Sequence, residues 1–211
     1  MTLAVLLFGG FSPAAWSMPK ASAKPASRAF KPPGEVPVKV AEKIDVCFNY
    51  GCASEGEVIF SGRQLTQVRS MLRVAQNSEH ERSALADVIA QMYAWAAEQT
   101  PVGNDRAGNF ADGGMPGQMD CIDHSTTTTR FLRLLEGHGW LRFHRPVDTI
   151  RRSGIFLHHF SAAIEDLGDG ISIVRTDIRS RLWAVDSWYA DNGKPPYIAP
   201  IDEWERDSGP N

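Results

Sequence analysis

The chain has 211 residues, 43% hydrophobic and 22% charged, which is enough for one domain with a sizeable core. Its formal charge of −3 and pI near 6.1, with basic residues scattered among acids, argue against nucleic acid as a partner. From the N-terminus, residues 3–11 (LAVLLFGGF) form a short apolar run followed by small residues and Pro13, with candidate cleavage points after Ser17 and after Ala23. Residues 1–23 therefore read as a signal peptide, although without the usual positively charged front. The run is far shorter than the roughly 20 residues that span a bilayer. No cysteine lies near the cleavage points to carry a lipid. The expectation is a periplasmic or secreted protein with no stable membrane insertion.

Residues 24–43 are rich in Ala, Lys, Pro and Ser, include Pro25, Pro32, Pro33 and Pro37, and lack apolar periodicity, so they read as a disordered linker. A single domain over 44–211 follows. Cys47 and Cys52 enclose Gly51 in CFNYGC, a spacing that closes a small disulfide in an oxidising compartment. The alternative is three small buried thiols. Residues 57–60 read as a strand, and 62–74 as a helix with Leu65, Val68, Met71 and Leu72 on one face. The next helix opens at Ser78 with Glu81 three residues on, carries Leu85, Val88, Ile89, Met92 and Trp95 at helical spacing, and ends at Pro101. Met92 and Trp95 read as packing against a sheet. The glycine-rich loop 102–117 is too long for a connector, which leaves a site-shaping loop or a surface loop.

Residues 113–135 (GGMPGQMDCIDHSTTTTRFLRLL) set a lone cysteine where that loop runs into a helix. Asp120 is a natural N-cap with Asp123 at the third helical position, which makes Cys121 the first helical residue. A thiol there feels the positive end of the helix dipole, which favours the nucleophilic thiolate. Asp120 and Asp123 push the other way, so activation needs a nearby imidazolium. Ser125 and four successive threonines are poor helix formers, so packing must hold this helix. Beyond it, residues 140–143, 155–164, 171–174 and 182–188 read as strands, the second and third joined as a hairpin through the turn 166–170. The tail, with Pro195, Pro196, Pro200 and Pro210, reads as irregular. Helices followed by an antiparallel sheet define an α+β class, with the cysteine helix packed on the sheet.

Strand alternation puts His159, Ser161 and Ala163 on one face of 156–165, and Leu182, Ala184, Asp186 and Trp188 on one face of 182–188. An aspartate within an apolar strand needs a partner, and an imidazole on the adjacent strand supplies one. Its other nitrogen can then face Cys121, the nucleophile, base and orienter arrangement of thiol acyl transfer. The order Cys121, His159, Asp186 resembles the transglutaminase-like superfamily of papain-like cysteine enzymes. More narrowly, Asp120-Cys121-Ile122-Asp123 and His159-Phe160-Ser161-Ala162-Ala163-Ile164 look like the cysteine and histidine motifs of bacterial transglutaminase-like cysteine peptidases. Asp186-Ser187-Trp188 stands where that family often has aspartate-proline.

The resemblance implies a papain-like fold with Cys121 as nucleophile, His159 as general base and acid, and Asp186 orienting the imidazole. It is also what selects His159 over His158. Gln118 or the Cys121 N–H would stabilise an oxyanion, unless Gln118 is only a loop residue. The implied substrate is a peptide or protein amide, with no cofactor and no metal. Two other readings compete. One is a non-catalytic envelope module for binding or assembly on the same fold. The other is a metal site from Cys121 and His124 with His158, His159 or Asp123, His124 being otherwise an exposed residue of the first helical turn. His138, His144, Arg142, Arg145, Arg151 and Arg152 form either a basic rim for an acidic ligand or a solvated face.

Overall fold

The computed structural model describes residues 38, 40–108, 115–153, 158–168 and 177–206. The expected signal peptide, residues 24–37 of the expected linker and the expected strand at 171–174 lie outside the described residues. The elements in chain order are β1 (Glu42–Phe48), β2 (Ser54–Phe60), α1 (Gly62–Arg73), α2 (Ser78–Ala97), α3 (Cys121–Gly137), β3 (His144–Ser153), β4 (His158–Asp166), β5 (Leu182–Asp186), β6 (Tyr197–Pro200) and α4 (Ile201–Arg206). β1 and β2 pair antiparallel, and β3, β4, β5 and β6 form an antiparallel sheet in that order. The class is α+β. β1 begins at Glu42, two residues before the expected start of the domain. Among the described residues no helix is long and apolar enough to cross a membrane.

Helix α3 packs on one side against β1 and on the other against β3 and β4. Its Phe131, Leu132 and Leu135 are fully buried with Val46, Val58 and Phe60 of the hairpin, Leu85, Ile89 and Met92 of α2, and Ala162, Ile164 and Val185 of the sheet. Phe131 meets Phe60 and Tyr93 edge-on, with centroids 5.6 and 5.2 Å apart. The threonines that weaken α3 as a helix tie it to its neighbours. Thr127 Oγ1 accepts from Cys47 N at 2.9 Å, and Thr128 Oγ1 lies 2.9 Å from both Tyr93 Oη and Ser187 Oγ. The opposite face of the sheet carries a smaller cluster, Ala184 and Ala199 under Ile201 and Trp204 of α4.

Three expectations change for one reason each. Asn77, not Ser78, caps α2 and accepts from His80 N at 2.8 Å, so Glu81 falls one position later and turns inward with Leu85 and Val88. Residues 140–143 are not a strand, because the N–H groups of Arg142 and Phe143 donate to Glu81 at 2.8 and 2.9 Å instead of to a ladder. Pairing starts at His144, whose Nδ1 lies 2.9 Å from the same carboxylate. Within the described part of the tail, residues 197–206 are regular, since β6 is an edge strand and can end on Pro200 without losing a ladder bond. α2 itself ends at Ala97, and Pro101 opens a short 3-10 turn.

Burial opposes the charge on Glu81, but hydrogen bonds from His144 and from the N–H groups of Arg142 and Phe143 win and hold its carboxyl below the ordinary value. Glu81→Ala would leave those three donors buried without an acceptor. Urea denaturation should show a loss of about 3–5 kcal/mol, as for breaking one side of a buried ion pair. A loss under about 1 kcal/mol would mean that this joint contributes little to stability.

Candidate active site

The N-terminus of α3 is built by two carboxylates. Asp120 Oδ1 accepts from Ile122 N at 3.0 Å and Asp123 N at 2.9 Å, while Asp123 Oδ2 accepts from Asp120 N at 3.0 Å, a complete capping box. Cys121 is the first helical residue and the only thiol outside a disulfide, half-buried. Cys47 and Cys52 are disulfide-bonded. Burial raises the Asp123 carboxyl to about 6. The Asp120 N–H opposes this, the Asp120 charge adds to it, and the Cys52 N–H opposes it again.

His159 of β4 and Asp186 at the end of β5 meet on one face of the sheet, with Nε2 2.6 Å from Oδ2. Nε2 is thereby engaged, and Cys121 is close enough to the ring to favour its protonated form. His158 points away and meets Ser153 Oγ at 3.1 Å. Asp186 is 1% exposed and has two further donors, Trp204 Nε1 at 2.7 Å and Trp188 N at 3.2 Å. The rings of Trp188, Tyr189 and Trp204 surround His159, with centroids 5.0, 5.4 and 5.8 Å away. Burial in this cage disfavours the imidazolium, but hydrogen bonding to Asp186 and Cys121, followed by their charges, outweighs it and raises His159 from 6.5 to about 9.

His124 is buried rather than exposed. Its Nε2 lies 2.9 Å from Asp105 Oδ2 and its Nδ1 2.9 Å from Ser187 Oγ, while Asp105 Oδ1 accepts from Met119 N at 2.9 Å. This network ties the first turn of α3 to the residue after Asp186. It also argues against the Cys121–His124 metal reading, because both ring nitrogens of His124 are engaged by protein partners. Among the described residues, Cys47, Cys52 and Glu55 are the one group of three metal-type donors brought together, and both sulfurs there are in the disulfide. Gln118 is buried, its backbone carbonyl accepting from Asn49 N at 2.7 Å and its Oε1 without a hydrogen-bond partner among the described residues.

Of the basic residues read as either a rim or a solvated face, four are tied to separate partners. Arg142 donates to the carbonyls of Arg73, the last residue of α1, and Ala75, His144 binds Glu81, Arg145 Nε binds Glu165 at 2.6 Å, and Arg152 donates to Trp204 O and Tyr189 Oη.

Compared with protein-family models, curated proteins and solved structures, the chain matches none. Trp204 and Tyr189 around the imidazole are absent from the sequence reading, which places Trp188 on the Asp186 face and Arg152 in a basic group without linking either to His159. The spacing of Ile201 and Trp204, three apart in a proline-flanked tail, is the one signal that could have pointed to α4.

A histidine with a folded pKa above its unfolded value stabilises the native state while protonated. That stabilisation is fully present below about pH 6.5 and is lost as pH rises through about 9. The thermal midpoint should fall by roughly 5–10 °C across that window. In His159→Ala the fall should be shallower, and parallel curves for the two proteins would contradict the ion pair.

Proposed function

We propose that this chain is a cysteine-dependent amide hydrolase or acyl transferase of the papain-like, transglutaminase-like kind, acting on peptide or glutamine-like amides. The observation that carries it is the 2.6 Å bond between the His159 imidazole and the buried Asp186 carboxylate, on a ring whose protonated form Cys121 at the head of α3 helps to favour. Thiolate attack on the amide carbon forms a C–S bond and moves the carbonyl electrons onto oxygen. The Cys121 N–H, in the first turn of α3, and the Gln118 amide are the donors proposed for that oxyanion. Collapse breaks the C–N bond, and His159 gives its proton to the leaving amine. Water or an acceptor amine then attacks the thioester, His159 takes the incoming proton, and the thiolate leaves. Asp186 keeps the ring oriented throughout. The Cys47–Cys52 disulfide supports an oxidising compartment, periplasmic or secreted.

The test is the alkylation rate of Cys121 by iodoacetamide against pH, in wild type, His159→Ala and Asp186→Asn. A thiolate–imidazolium pair gives a rate already on its plateau below pH 7, reduced about tenfold or more at that pH in His159→Ala and partly in Asp186→Asn. Amine release from a peptide-amide library should then disappear in Cys121→Ala. A rate that rises only near pH 8.5 in all three proteins would return the fold to the non-catalytic envelope module.

A further inference from the structure

Asn49, Tyr50, Gly51 and Cys52 take φ values of +67°, +62°, +64° and +58° in succession. Only glycine adopts that region freely, and an ordinary L residue is disfavoured there by about 1 kcal/mol or more. A left-handed turn with three such residues cannot persist on local energy, so something must hold it. One restraint is covalent, the Cys47–Cys52 disulfide that closes its two ends. The other is the head of α3. Tyr50 N and Cys52 N donate to the two oxygens of Asp123 at 2.9 and 2.6 Å, and Gly51 N donates to Asp120 Oδ2 at 2.9 Å. Asn49 adds two bonds to the chain entering the helix, N to Gln118 O at 2.7 Å and Oδ1 from Gly117 N at 2.9 Å.

Successive N–H groups in such a turn form an anion-binding concavity. The anions bound here are the two carboxylates that flank Cys121. The charged groups around that thiol are Asp120 and Asp123 from its own helix and His159 from β4, with Asp186 behind the imidazole. Of these, the two aspartates oppose a thiolate, and the turn draws both onto its own donors. Cys47 N remains bonded to Thr127 Oγ1 regardless of the disulfide, and the core residues Val46 and Val58 lie on the flanking strands. Opening the disulfide therefore acts on the turn before it acts on the core.

We infer that the disulfide-closed turn of residues 49–52 is a positioning device for Cys121, so that reducing Cys47–Cys52 slows the thiol without unfolding the domain. This rests on the proposed role of Cys121 as nucleophile. The experiment follows alkylation of Cys121 by iodoacetamide, resolved by peptide mass spectrometry, in four samples: oxidised wild type, wild type reduced by a phosphine and desalted, Cys47→Ala/Cys52→Ala, and Gly51→Pro. The last keeps the disulfide but removes the Gly51 N–H and the positive φ.

At pH 7 the three altered samples should react about tenfold more slowly, with their pH profiles displaced upward. Amide exchange at Tyr50 and Cys52 should quicken, the thermal midpoint should stay within a few degrees of wild type, and reoxidation should restore the rate. A thiol that is fast when oxidised and equally fast when reduced overturns this inference alone. A thiol already slow in oxidised wild type, and unchanged in His159→Ala, overturns the proposed function and this inference with it.

Discussion

Two carboxylates, Asp120 and Asp123, accept six backbone N–H groups from two separate segments: Asp120, Ile122 and Asp123 of the helix head, and Tyr50, Gly51 and Cys52 of the hairpin turn. The geometry of the candidate site depends on that joint. A helix whose first turns run Cys-Ile-Asp-His-Ser and then four threonines has little propensity of its own. Hydrogen bonds to a charged acceptor contribute roughly 1.5–3 kcal/mol each in favourable settings. Against that stands the desolvation that pushes Asp123 to about 6. Burial prevails at Asp123, and the donors on each carboxylate oxygen limit the rise by dispersing the charge over N–H dipoles rather than leaving it bare in a low dielectric.

The second fixed relation is rotational. Apolar packing sets how deeply α3 sits but constrains its rotation weakly, since hydrophobic contact has no direction. The buried hydroxyls supply direction. Thr127 reaches β1, Thr128 reaches Tyr93 and Ser187, and His124 joins Asp105 to Ser187. Ser187 directly follows Asp186, so this network sets Cys121, three residues before His124, against the end of the strand that carries the carboxylate. The threonine run is unfavourable for an isolated helix and favourable for this one.

What could be read from the sequence was local. The Asp120–Asp123 box, the apolar stripes of α1 and α2, the CFNYGC closure and the alternation that puts His159 and Asp186 each on a face of its own strand depend on residues a few positions apart. What could not be read depends on partners far along the chain. Glu81 looked like a cap because nothing nearby shows that its acceptors are wanted by Arg142 and Phe143, 61 and 62 residues on. β6 hid among prolines because an edge strand tolerates them. Three non-glycine residues at positive φ leave no compositional trace, so the docking of the CFNYGC turn on the cysteine helix was invisible although its disulfide was not. His124 sat on a first turn that normally faces water, and only Asp105 from the preceding loop gives it a reason to be inside.

The same long-range logic bears on the carboxylate behind the imidazole. In the proposed cycle His159 alternates between charged and neutral, whereas Asp186 must stay an acceptor in both states at 1% exposure. A buried carboxylate whose one partner loses its charge would be strongly destabilised. Trp204 Nε1 and Trp188 N remain as donors when the imidazole is neutral, so the site tolerates both states. This gives α4 its place in the fold. A six-residue helix has little stability alone, but Ile201 and Trp204 bury against Ala184 and Ala199, Arg152 donates to Trp204 O, and Arg179 pairs with Asp202 and Glu205. Those contacts hold one indole N–H at 2.7 Å from Asp186 Oδ2, the oxygen that also faces His159.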